Sequence, residues 1–72
     1  MMNRIHPKKL LHSKWTAVSP VRRERHFLVT GVEFDEQGKL IDCLMEAVMT
    51  RRSFSLDWRT LADNDHWIQG WK

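Results

Sequence analysis

The stretch "HFLVTGVEFDEQGKLIDCLMEAVMT" (His26–Thr50) decides the fold. Its first ten residues crowd Phe27, Leu28, Val29, Thr30, Val32 and Phe34 together, which predicts a strand over His26–Asp35. Gly31 in the middle predicts a bulge or bend. In "DEQG" (35–38), Asp at the first turn position and Gly at the fourth favour a type I turn with Gly38 left-handed. The return, Lys39–Thr50, is ambiguous, because its length and its Leu, Met, Ala and Glu also suit a helix. As a helix it would place Asp42 and Glu46 on one face and be apolar nearly all round. A tight turn straight after a strong strand favours a hairpin instead, so Lys39–Thr50 is read as a strand with Asp35 opposite Lys39. One face then carries Phe27, Val29, Ile41, Cys43, Met45, Ala47 and Met49, and is the better core. The other carries Leu28, Val32, Phe34, Leu40, Leu44 and Val48 and is too apolar to stay wet. It would be covered by the N-terminal segment through Leu10 and Leu11, or by a second copy, unless Gly31 shifts the register.

Working outward, "RRSFSLDW" (51–58) alternates Phe54, Leu56 and Trp58 against Ser53, Ser55 and Asp57, the pattern of a half-buried strand. Asp57 can cap a helical turn over "WRTL" (58–61). "ADND" (62–65) reads as a loop and "HWIQGW" (66–71) as a last strand. On the N-terminal side, Pro7 can open a short turn in "HPKKLLHS" (6–13). "KWTAV" (14–18) reads as a strand, and "SPVRRER" (19–25), with Pro20, as a loop. The expected fold is therefore mainly β: one domain over residues 1–72, a small five-stranded antiparallel SH3-like barrel with meander order and one short helical turn near the C-terminus. That likeness is one of pattern and implies no function.

A chain of 72 residues buries only about 60% of its unfolded surface, so its core is thin. Cys43 is alone, so no disulfide staples the chain, which fits a reducing compartment. Large side chains are the remaining device, and the expected core is Trp15, Phe27, Val29, Phe54, Leu56, Trp58 and Trp67. "DWRTLADNDHWIQGWK" (57–72) holds three of the four tryptophans. Trp67 and Trp71 are four apart and would point the same way on a regular strand, pinning it against Trp15 or Trp58. The rival reading is an exposed aromatic platform on which bases or peptides stack. No signal peptide and no apolar run of membrane-spanning length is found, so the expected location is cytoplasmic.

Net charge is +3, which permits a polyanionic partner without demanding one. A meander gathers alternate connections at one end. The loop with Arg22, Arg23 and Arg25 should thus meet the turn with Arg51 and Arg52. Asp35, Glu36, Asp57, Asp63 and Asp65 should gather at the other end. Guanidinium binds phosphate bidentately and is always charged, so the arginine end is the candidate site for RNA or DNA; the bland alternative is that loop arginines are simply solvated. A second candidate, for a protein partner or a second copy, is the apolar face with Phe34, Leu40 and Leu44. His6, His12, His26 and His66 share no ligand spacing with Cys43, and no phosphate-binding glycine loop occurs. No metal, cofactor or catalytic residue is expected, and the chain is read as a non-enzymatic binding module.

The segments "NRIHPKKLLHSKWTAVSPV" (3–21), "HFLVT" (26–30), "LMEAVMTRRSFSLDWRTL" (44–61) and "HWIQGW" (66–71) resemble the small tryptophan-rich bacterial proteins of unknown function. The pairing of "KLLHSKWTAV" (9–18) with a terminal "GW" carries most of the likeness. The resemblance implies a bacterial cytosolic setting and a single-domain boundary, and no chemistry.

Overall fold

The computed structural model describes residues 2–72. Five strands, β1 (Lys14–Val21), β2 (Glu24–Phe34), β3 (Leu40–Ala47), β4 (Ser53–Leu56) and β5 (Trp67–Gln69), form one antiparallel sheet in the order β4-β3-β2-β1-β5. Short 3-10 turns cover Pro7–Lys9 and Trp58–Ala62. Lys39–Thr50 is not a helix: Leu40–Ala47 pairs with both β2 and β4. The hairpin closes as its turn residues require, with Gly38 at φ +80° and the Asp35 amide donating to the Lys39 carbonyl at 2.8 Å. Asp57 caps the second 3-10 turn, its carboxylate accepting from the Arg59 amide at 3.1 Å.

The sheet is open, since β4 and β5 form its two edges and do not pair with each other. Both edges nevertheless bend over the same ring. Phe27 is met edge-on by Phe54 of β4 at 6.0 Å and by Trp67 of β5 at 5.1 Å. The sheet can curl this far because β1 is irregular. Thr16 pairs with His26 and Val21 with Glu24, so Ala17–Pro20 lie opposite Arg25 alone. Pro20 lacks an amide to give to a ladder and sits in this bulge, inside a strand rather than the loop expected over Ser19–Arg25.

The buried core comprises Leu10, Trp15, Phe27, Val29, Leu40, Cys43, Met45, Ala47 and Leu61, with Phe54, Leu56, Trp58 and Trp67 half-buried against it. Two bulges in the β2–β3 hairpin revise the faces drawn from strict alternation. Val29 pairs with Met45 but Gly31 with Leu44, so Thr30 is extra and Val32 arrives opposite Cys43, packed on the core. A second shift, between Glu33 and Phe34, turns Leu40 inward and Ile41 out: Leu40 is 4% exposed and Ile41 53%. Met49, expected inside, lies in the β3–β4 turn and is exposed. Leu10 covers the core face rather than the outer one, and Leu11 is exposed. No helix among the described residues is long and apolar enough to cross a membrane.

Candidate nucleic-acid interface

The β1–β2 turn is two residues long. Arg22 and Arg23 both have left-handed backbone, at φ 58° and 63°, between the paired residues Val21 and Glu24. Positive φ at both positions is the type I′ turn, whose twist matches that of the flanking strands, and Asn-Gly is the residue pair that adopts it at least cost. Here arginines occupy both places. The β3–β4 turn repeats the feature. The Ala47 amide donates to the Arg52 carbonyl (2.9 Å), the Arg51 amide donates to the Ala47 carbonyl (2.8 Å), and Arg51 has φ 61°. For an L-residue with a long side chain this region costs roughly 1–2 kcal/mol.

Glu24 ties the two turns together. Its side chain is 3% exposed. It accepts from Thr50 Oγ1 and from Arg52 through both Nε (3.2 and 3.1 Å) and Nη2 (2.7 Å). The Arg52 guanidinium, with help from the Thr50 hydroxyl, holds the Glu24 carboxyl down at about 2, and Glu24 in turn raises Arg52. Glu24 thus links the turn that carries Arg22 and Arg23 to the turn that carries Arg51 and Arg52, but the five arginines expected to act together differ in availability. Arg52 is committed to Glu24 and lies over Phe54 at 4.8 Å, a fixed structural cation. Arg22, Arg23, Arg25 and Arg51 are exposed, and among the described residues none forms an ion pair. Beside them lies a shallow depression bordered by Arg23, Arg25, His26, Val48 and Met49.

The acidic residues are less neatly segregated than expected. Asp35, Asp42 and Asp57 share one groove with Lys39 and Arg59. Asp63, however, lies on the open side of the sheet, where it bonds His66 at 2.7 Å and the Asp65 amide at 2.9 Å; these bonds hold its carboxyl below the usual range. That side contains a cleft of about 510 Å³ between the sheet edges. Phe27, Phe54, Leu56, Trp67, Ala17 and Val21 give it apolar walls, and its polar rim holds Glu24 with Arg52 and Asp63 with His66. Its mouth thus adjoins the arginine turns.

A family model described as "Tryptophan-rich protein (DUF2389)" matches residues 13–72. The chain belongs to this tryptophan-rich family. No curated protein and no solved structure is detectably similar to it. The tryptophans of this chain divide by role. Trp15 is buried, with its Nε1–H donating to Ser13 Oγ at 2.8 Å; Trp58 and Trp67 pack half-buried on the core. Trp71 does not point the way Trp67 does. β5 ends at Gln69 and Gly70, at φ +85°, reverses the chain, so Trp71 lands on the outer face beside His26 at 5.9 Å. The expectation of one regular strand through both residues overlooked the glycine between them.

Of the apolar candidates, Phe34 and Leu44 are each 38% exposed, whereas Leu40 is core and leaves that list because of the second bulge. Cys43 is fully buried, and burial pushes its thiol up to about 11, so it is no nucleophile near neutrality. Among the described residues no three His, Cys, Asp or Glu side chains gather in a way that could hold a metal.

Proposed function

We propose that this chain is a non-enzymatic module that binds RNA or DNA through its arginine end. The observation that carries the proposal is the pair of adjoining turns in which Arg22, Arg23 and Arg51 occupy left-handed backbone while the buried acid beside them, Glu24, is spent on Arg52. The hairpin geometry imposes this backbone, strain of this kind clusters at functional sites, and a group of guanidiniums outside any ion pair suits a phosphate chain. The supporting frame is an SH3-like barrel parted at one seam, a reading favoured by the strand order and by the two edges bending over Phe27. The setting we propose is the bacterial cytosol, in keeping with the lone reduced cysteine.

The test is titration of a labelled single strand and a labelled duplex at several salt concentrations. Engagement of three to four phosphates gives a log–log slope of roughly −2 to −3 for the single strand. Substituting Arg22→Glu, Arg23→Glu and Arg51→Glu together should abolish binding. Absence of binding at low salt, or binding indifferent to those changes, removes the reading.

A second reading is a protein-interaction or homodimer surface on the apolar strand positions left outside. It is favoured by Phe34, Ile41 and Leu44, which lie 38%, 53% and 38% exposed. Light scattering across a concentration series decides it, since an 8.6 kDa particle throughout rules out self-association.

A further inference from the structure

We propose that Trp71 is a stacking platform for one base of a single-stranded nucleic acid, whose backbone runs from the arginine turns past Arg25 and His26 to Lys14. This rests on the polyanion reading above and specifies its ligand as unpaired rather than duplex.

Trp71 is 42% exposed, yet it is held firmly. Its Nε1–H donates to the Phe27 carbonyl at 2.9 Å, which satisfies the indole's one polar group and fixes the ring across the outer face. The chain on both sides is pinned by Thr16, whose hydroxyl donates to the Gly70 carbonyl at 2.6 Å and accepts from the Lys72 amide at 3.0 Å. His26 Nε2 adds a bond to the Lys72 carbonyl at 2.9 Å. A ring placed by this many backbone bonds loses little freedom on stacking, which is what a platform requires. Thr16 is itself buried although it lies on the outer face, because these tail contacts cover it.

The surroundings are cationic and continuous with the arginine end. Lys14 Nζ sits 4.7 Å from the centre of the Trp71 ring. His26 is tilted 34° to it at 5.9 Å and also borders the depression shared with Arg23, Arg25, Val48 and Met49. The path therefore reads arginine, histidine, indole, lysine. In free protein the Lys14 ammonium lies against the ring face by cation–π attraction. An incoming base takes that face and leaves the ammonium to a neighbouring phosphate, so the site is not left with an unpaired charge on either side. Glu46 bounds the patch: it pairs opposite Leu28, which pairs opposite Lys14, putting an acid two strands away on the same face. The strand must run along β1 and β2 rather than across to β3. Within a duplex the interior base faces are already stacked and cannot use the platform.

The experiment compares four labelled probes on the intact chain near 50 mM salt: a 12-nucleotide single strand, the same strand carrying abasic sites throughout, its duplex, and a heparin oligosaccharide of similar charge. Stacking of one base predicts that the abasic strand binds about 5- to 100-fold more weakly than the intact strand. Trp71→Ala should weaken the intact strand by the same factor and leave the abasic strand and heparin unchanged, while Trp71→Phe keeps most of the affinity. Equal binding of intact and abasic strands, with arginine dependence retained, sinks the platform alone. No binding of any probe sinks the polyanion reading and the platform with it. The abasic comparison needs no variant, so a folding defect in Trp71→Ala cannot decide the outcome.

Discussion

Replacing Arg22-Arg23 by Asn-Gly should make the protein more stable and a worse binder at once. Both residues sit in left-handed backbone in a two-residue hairpin turn. Relief of that conformation is worth roughly 1–2 kcal/mol per residue for an ordinary side chain. Against it stands the greater freedom of glycine in the unfolded chain, about 0.5–1 kcal/mol. Asparagine, which tolerates this region, recovers only part of the gain at position 22. A net stabilisation of about 1–2 kcal/mol remains. In a domain of this size each kcal/mol moves the melting midpoint by about 4–8 °C, so thermal unfolding followed by circular dichroism should shift up by roughly 5–15 °C. The same change deletes two phosphate-facing charges and should flatten the salt slope for a single strand by about 1.4. A control with Arg22→Lys and Arg23→Lys keeps charge and backbone alike and should move neither quantity much. If the Asn-Gly variant melts at or below the parent, the turn is not strained and its arginines need no functional explanation. If it melts higher yet binds as before, the two guanidiniums are merely solvated.

The remaining expectations concern the core and the latch formed by Glu24 with Arg52 and Thr50. Trp15→Ala removes the largest buried side chain and should cost about 3–5 kcal/mol, most of what a domain this small has, so the far-ultraviolet signal of a folded sheet should be lost near room temperature. Because Glu24 titrates near 2 when folded and near 4.5 when free, the unfolded chain takes up the proton first; the latch's stabilisation is intact above pH 4.5 and is lost as pH falls toward 2. Glu24→Gln should therefore flatten the acid limb of a stability–pH curve. Cys43 should resist alkylation at pH 8 until the chain is unfolded, so its labelling rate in denaturant reports global opening. Gly31→Ala should be nearly neutral by thermal melt, as its new methyl meets Leu44 Cβ at 3.5 Å without strain, whereas Gly70→Ala, at φ +85°, should destabilise by about 1 kcal/mol and loosen Trp71.

Much of the fold could be read from local chemistry. Alternation in "SFSL" (53–56), the Asp35–Gly38 turn and the Asp57 cap are short-range signals, and each element formed where its residues called for it. What strict period-2 reading missed were places where the chain breaks the period. Thr30 as an extra residue, the shift at Phe34 and the three extra residues of β1 each break the alternation, and the first two are how Val32 and Leu40 joined the core. Gly31 marked the first bulge in advance, and Gly70 marked the reversal before Trp71 had its presence been weighed against the tryptophan spacing. Nothing local marked the Glu24–Arg52 pair, because its partners are 28 residues apart.

The slack in β1 also explains why the basic surface and the apolar cleft lie side by side. One strand serves two neighbours: Trp15 pairs with Phe27 on one side and with Gln69 on the other. Past Thr16 the strand leaves the β2 ladder, with Ala17 still paired to Trp67, and rejoins β2 only at Val21. A seam with two short free edges then remains beneath the departing strand, and the returning strand delivers Arg22 and Arg23 to its mouth. An unpaired edge so close to a cluster of like charge would be costly to leave loose. Glu24 answers both problems, since its carboxylate neutralises one guanidinium while drawing the β3–β4 turn over the gap. Removing that carboxylate should therefore loosen both turns together. Amide exchange at Val48 and Arg51 should then rise in step with exchange at Glu24's neighbours, whereas a rise confined to one turn would mean that the two are not coupled through this residue.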